Sequence, residues 1–225
     1  EGICTQPTIS LIENGSIIPS LEVLSQISIK LNKPLEYFTN ILFFSNYDYL
    51  MKFVNDIEEL TLAQNFKSVY QIVSKELASE PTDKWFQVFL KWQLSLSSYH
   101  LNLIDIDEAL FDIKEIIKTT PKVILNKHFL DIRILNTLAF LFAFKKDYQN
   151  SIMYFNKISE IHILDDAPKI TKHTYYLRIQ YNKAKTLYDS GDYNAALKTC
   201  KEGIKQSIQQ ENMSLLGNFY YYLAQ

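Results

Sequence analysis

The chain has 225 residues, 47% hydrophobic and 21% charged, with a formal net charge of −2. That length allows one large or two small globular domains, and so small a charge gives no general attraction to nucleic acid or to a membrane surface. Only 5 Gly and 6 Pro stand against 15 Tyr and 14 Phe, which favours helices over turn-rich β structure. Cys4 and Cys200 match no metal-ligand spacing and are expected as free thiols of a reducing cytosol. No run of 18 apolar residues marks a membrane span, and no secretory leader is visible. The chain starts at Glu1 without Met and stops at Gln225 within a helical pattern, so a piece of a longer protein is expected.

Glu1 to Cys4 is expected as the tail of a helix. The stretch TQPTISLIENGSIIPSLEVLSQISIKL, from Thr5 to Leu31, reads as a short helix, a tight break and a second helix. Thr5 is a suitable N-cap, and Pro7 lies in the first turn, where a missing N–H costs little. Ile9 and Ile12 give this helix a narrow apolar side. Asn14-Gly15 ends it, with Gly as the left-handed residue. Pro19-Ser20 opens the next helix, with Leu21, Leu24, Ile27 and Leu31 as its expected core stripe. Pro34 starts a short helix, Leu35 to Ile41, whose Tyr37, Phe38 and Ile41 would close a small core.

From about residue 46 the pattern becomes a series of helix pairs. They are expected near 47–62 and 66–79, 84–101 and 106–118, 127–145 and 148–162, and 169–190 and 193–210. A fifth begins near Met213. The second helices start at Phe66, Ile106, Tyr148 and Tyr193, about 40 to 45 residues apart, a period that signals a helical repeat array. The clearest unit is YNKAKTLYDSGDYNAALKTCKEGI, Tyr181 to Ile204. Ala184 is the small residue that lets two helices approach, Gly191-Asp192-Tyr193 the turn, and Ala196 and Gly203 the small positions of the second helix. The preceding pair repeats this with Ala139, Lys146-Asp147-Tyr148 and Ser151. Stacked pairs of this kind bury their apolar faces on one another and leave a groove lined by the first helices.

None of His100, His128, His162 and His173 lies in a metal or nucleophile motif, and no glycine-rich phosphate loop exists. The sequence therefore points to no cofactor, no metal site and no catalysis. Asparagine is more informative. Asn136, Asn182 and Asn218 each lie inside the first helix of successive repeats, although Asn is a weak helix former. An amide carries donor and acceptor, so a row of them suits the backbone of an extended peptide. Phe129, Arg133 and Phe140 on one helix, Tyr175, Arg178 and Lys185 on another, and Tyr221 and Tyr222 on the last can share a face with these amides. The cations suit a carboxylate. Gln64, in the turn Leu62-Ala63-Gln64-Asn65, is a further candidate. Trp85 and Trp92 are seven apart and are expected to pack between repeats.

The segment from Thr5 to Leu31 resembles the recognition helix and following helix of a repressor-type helix-turn-helix domain. That resemblance implies that Gln6, Pro7, Ser10 and Leu11 face bases, while Thr5 and Thr8 face phosphate or the groove wall. Against it, residues 1–41 carry Glu1, Glu13, Glu22 and Glu36 but only Lys30 and Lys33, a poor footprint for phosphate neutralisation. The unit at Tyr181 to Ile204 resembles a tetratricopeptide repeat with extra helical turns. Together, ICTQPTISLIENGSIIPSLEVL, FLKWQ, YNKAKTLY and NMSLLGNFYY resemble the peptide-pheromone-responsive regulators of Gram-positive bacteria, the RRNPP group.

The resemblance implies an all-α fold. A partial helix-turn-helix domain would occupy 1–41, and a linker helix with a tetratricopeptide-like right-handed superhelix 42–225. About 25 residues in front and the last repeats behind would be missing. It also implies a cytoplasmic homodimer that binds a palindromic double-stranded DNA site under control of a short signalling peptide held by Asn136 and Asn182, with Asn218 in place of a family Gln. Close relatives carry peptide-facing lysines in the first inter-helix turn; here that turn holds Gln64, so a different signal is expected. Two other readings stay open: a protein-binding repeat scaffold that reads no DNA, and a regulator sensing a metabolite or redox state through Cys4 or Cys200.

Overall fold

The computed structural model describes residues 2–35, 37–38, 47–126, 129–161 and 169–225, with backbone only for 169–174. Among these residues all regular structure is helical: α1 (Gln6–Glu13), α2 (Leu21–Lys30), α3 (Tyr47–Leu62), α4 (Phe66–Ala78), α5 (Lys84–His100), α6 (Ile106–Thr119), α7 (Lys122–Leu125), α8 (Leu130–Phe144), α9 (Tyr148–Glu160), α10 (Lys169–Asp189), α11 (Tyr193–Gln209) and α12 (Leu216–Ala224). The chain divides into two compact units, Glu1–Ala63 and Gln64–Gln225.

In the first unit, local chemistry sets the helix ends. The Thr5 hydroxyl accepts from the Thr8 N–H at 3.4 Å, and the Ser20 hydroxyl from the Val23 N–H at 3.3 Å. Each satisfies an orphan donor of a first turn. Gly15, at φ +73, turns the chain after α1, and the N–H groups of Ser16 and Ile17 both return to the Leu11 carbonyl. Leu35, Tyr37 and Phe38 are helical; Ile41 lies outside the described residues. The Tyr37 hydroxyl donates to Asp48 on α3 at 3.1 Å, and Leu50, Val54 and Ile57 of α3 are buried.

Two expectations fail here. Gly2 to Cys4 are not helical, because Gly2 sits at φ +96, outside any right-handed helix. The α2 stripe is not a core stripe throughout. Leu24 and Ile27 are half-buried, but Leu21 and Leu31 are 68% and 58% exposed.

In the second unit successive helices pack on one another except the short α7, which lies against α5, and α6 and α8, and α8 and α10, also meet across the intervening elements. One turn recurs. Gln64, Lys146 and Gly191 all have positive φ, at 56°, 62° and 86°. Each precedes an Asn or Asp whose side chain accepts from the N–H three residues on: Asn65 from Ser68, Asp147 from Asn150, Asp192 from Ala195. An aromatic residue (Phe66, Tyr148 or Tyr193) then opens the second helix. Where two helices approach, the residues are small. Ala139 is fully buried, and its carbonyl accepts from the Ser151 hydroxyl at 2.7 Å. Ala184 and Cys200 form a buried cluster with Leu177 and Phe219, and the ring of Phe219 occupies the space that a side chain at Gly203 would need.

The third pair departs from its expected bounds. Pro121 precedes the extra four-residue helix α7, and Phe129 adopts a left-handed conformation at φ 54, so α8 starts only at Leu130. Residues 127–128, with His128, and residues 162–168, with His162, lie outside the described residues, as does the side chain of His173.

Candidate functional site: an exposed helix and an asparagine-bridged face

The first unit presents α1 outward. No residue of this helix is buried, and it has no basic residue in its last turn. The hydroxyls of Thr5 and Thr8 lie 2.9 Å apart and bond each other, which occupies them with holding the N-terminus. Gln6, Pro7, Ser10 and Leu11 are exposed, Leu11 by 42%. They supply one amide, one hydroxyl and two apolar surfaces without a cation, a set suited to base edges and thymine methyls rather than to phosphate.

In the second unit the sequence-predicted residues of α8 and α10 come together. Arg133, Asn136 and Phe140 follow one another at spacings of three and four along α8, and Tyr175, Arg178, Asn182 and Lys185 do so along α10. The two stripes meet at the asparagines. The Asn182 side-chain amide donates to the Asn136 side-chain carbonyl at 3.1 Å. Both side chains are only half-buried. Each amide has further capacity: two donors on Asn136 and an acceptor on Asn182 outside this bond.

One turn before the amides lies a cationic layer. Arg133 is 5% exposed. Its guanidinium lies 5.3, 5.2 and 5.2 Å from the ring centres of Phe89, Trp92 and Tyr175, and it also hydrogen-bonds Tyr175. Rings of this kind stabilise a desolvated cation through their negative faces. Arg178 lies 6.0 Å from the Tyr175 ring. Burial holds both guanidiniums below their usual range, and Arg178 adds to the effect on Arg133; both stay charged at neutral pH because an arginine starts so high. Trp92 is fixed from its other edge, its indole N–H donating to the Thr137 hydroxyl at 3.1 Å. Beyond the amides, Phe140 is half-buried beside Phe144, with ring centres 5.5 Å apart, and Lys185 pairs with Asp189 at 2.6 Å.

Three candidates lie apart from this cluster. Asn218 is exposed on α12. Tyr222 is half-buried in an aromatic group, 5.9 Å from Tyr181 and 5.5 Å from Tyr188. Burial first, then Tyr181, pushes its hydroxyl up to about 12. Gln64 is exposed and serves as the left-handed residue of its turn. Thr137 and Phe144 belong to the cluster without having been expected there; Phe144 was legible as the next residue of the 133, 136, 140 series. Cys4 is half-buried and Cys200 buried, both as free thiols. Among the described residues no three His, Cys, Asp or Glu converge as a metal site, and no helix is long and apolar enough to cross a membrane.

Residues 54–225 match the model of the RNPP family C-terminal domain. The chain belongs to the RNPP family. Residues 2–38 match a helix-turn-helix model. Among solved structures the chain is similar to Bacillus thuringiensis PlcR in complex with the peptide PapR7 and DNA. The identity is 27% and the TM-score 0.86, covering 99% of this chain and 78% of that one. It is also similar to the apo form of PlcR, at 25% identity and a TM-score of 0.74, covering 96% of this chain and 78% of that one. No curated protein sequence matches the chain. As an RNPP protein it combines an all-α, tetratricopeptide-like repeat domain with a helix-turn-helix segment.

Proposed function

We propose that this RNPP protein is a DNA-binding transcriptional regulator controlled by a short signalling peptide. The reading is supported by the family and by the likeness to PlcR, whose complex holds both a peptide and DNA. The observation that carries it within this chain is the Asn136–Asn182 amide pair. Two neighbouring first helices present free amide valences side by side, which an extended backbone matches without regard to its side chains. Asn136 and Asn182 clamp the peptide backbone. Arg133 and Arg178 line one side of that track and Phe140 the other. Asn218, Tyr222 and Gln64 lie apart from this track and are assigned no contact with the clamped backbone. In the first unit, Gln6, Pro7, Ser10 and Leu11 read the DNA major groove, and Thr5 and Thr8 hold the start of that helix.

The protein acts in the cytoplasm as a homodimer on a palindromic site and carries out no catalysis. Peptide favours whichever arrangement of the repeats binds it more tightly, and with it the dimer geometry that matches the half-site spacing. To test the peptide arm, whole protein is equilibrated with the peptide fraction of culture supernatant, separated by gel filtration, and its retained peptides are identified by mass spectrometry. Wild type retains a discrete peptide and Asn136→Ala plus Asn182→Ala does not. Equal retention by both rejects the amide clamp. A second reading, a protein-binding scaffold that reads no DNA, draws support from the acidic balance of residues 1–41; a DNA titration at low salt separates the two.

A further inference from the structure

The α8 stripe does not stop at Phe140. Phe144, one turn further, is 52% exposed and touches the Phe140 ring. It forms one wall of an open cleft of about 500 Å³, with Tyr99 at the end of α5 and Leu103, Ile104 and Ile106 of the α5–α6 turn as the other walls. Leu103 is 57% exposed. The cleft shares α8 with the site and adds the end of α5 and the start of α6. Trp92 of α5 reaches Thr137 of α8, and Tyr99 and Phe144 are each seven residues beyond those two, on the same side of their helices.

The charged groups at the rim are already engaged. Asp105 accepts from the N–H groups of Asp107 and Glu108, and Glu108 accepts from the Asp105 N–H, as the capping box of α6. Lys145 is paired with Asp107. What the cleft offers a ligand is the apolar wall of Leu103, Ile104, Ile106 and Phe144, bordered by a polar rim that includes the Asn102 side chain.

We propose that this cleft is a specificity subsite that takes one bulky apolar side chain, aromatic or branched aliphatic, of the peptide held by the asparagines. The proposal rests on the peptide reading above. Eight residues of α8 separate Asn136 from Phe144, roughly 12 Å at the helical rise, which an extended chain covers in about four residues. The anchoring side chain therefore belongs to a residue three or four positions from the clamped one, on the stretch of peptide that runs toward α5. A cleft of about 500 Å³ has room for one large side chain laid against its apolar wall, with one face left to solvent.

The test uses a synthetic octapeptide library in which each position is fixed in turn as Phe, Leu, Asp, Lys or Ser. The library is passed over immobilised whole protein, and retained peptides are counted by mass spectrometry. Wild type enriches Phe and Leu over Asp, Lys and Ser at one position by about tenfold, as expected for burial of one large apolar side chain. Phe144→Ser and Leu103→Asp each cut that enrichment to about threefold or less with an unchanged helical circular dichroism spectrum. The proposal is overturned by retention without apolar preference at any position, by a preference for Lys or Asp instead, or by an enrichment that both variants leave intact. Retention of no peptide by wild type overturns the peptide reading itself, and the subsite with it.

Discussion

Gly203 and Gly217 both sit in helices, yet alanine at the two positions should act in opposite directions. A Cβ built at Gly203 lies 2.4 Å from two carbons of the Phe219 ring and 2.8 Å from a third, while one built at Gly217 meets nothing within 4 Å. Phe219 is fully buried and is held by Leu177, Ala184 and Cys200, so its ring has nowhere to retreat. Overpacking of this kind costs about 1 to 3 kcal/mol. The helix-propensity gain from Gly to Ala offsets up to about 1 kcal/mol of it. The net expectation for Gly203→Ala is a loss of about 1 to 2 kcal/mol, and for Gly217→Ala a gain of a few tenths to about 1 kcal/mol. Urea unfolding followed by circular dichroism measures both. The double variant Gly203→Ala plus Phe219→Leu should lose less than the two single losses added, because the smaller side chain makes room. Equal midpoint shifts for the two glycine variants, or strict additivity in the double, would show that α11 and α12 are not packed through this contact.

Three further outcomes follow from the contacts described. Trp92→Phe removes the indole N–H that Thr137 accepts; it should lower stability by about 1 kcal/mol in the same unfolding assay and weaken peptide retention by loosening the rings around Arg133. His100 stacks on Phe66 with ring centres 3.8 Å apart, and burial lowers its pKa. The folded pKa lies below that of the unfolded chain, near 6.5. As pH falls through that value the unfolded chain takes up the proton first, and stability drops until the folded value is passed. The wild-type urea midpoint should therefore fall more between pH 7.5 and 5.5 than that of His100→Phe; equal falls would remove His100 from the account. At the DNA face, Gln6→Ala should reduce discrimination between operator and altered sites by about 1 to 3 kcal/mol and leave the salt dependence of binding unchanged, since α1 contributes no cation; a fluorescence-anisotropy salt series decides it.

Much of this architecture was legible because its causes are local. The caps at Thr5, Ser20, Asp147 and Asp192 need only an oxygen near the next N–H groups, and sequence displays that directly. The inter-helix turns repeat a left-handed residue before an Asx cap, so Gly191-Asp192-Tyr193 exposed Lys146-Asp147-Tyr148 as its counterpart. The like placement of Asn136 and Asn182 on neighbouring first helices was legible from equal positions in two similar repeats, and their mutual hydrogen bond was not. Asn218 breaks the series. Phe219, the next residue, packs with Ala184, and Asn218 is exposed. What stayed hidden depends on tertiary surroundings. Leu21 and Leu31 have the spacing of a core stripe, and spacing alone does not say which of its residues meet a facing helix. The left-handed Phe129 and the short α7 carry no strong local signal. Three aromatic rings from two other helices converge on Arg133, and no periodicity announces that.

The most direct test of the account is a titration of a fluorescent palindromic DNA with whole protein, with and without the peptide fraction of culture supernatant, for wild type and for Asn136→Ala plus Asn182→Ala. The peptide fraction should shift wild-type DNA binding and leave that of the double variant unchanged. Wild-type binding indifferent to peptide, or no DNA binding even at low salt, would contradict it.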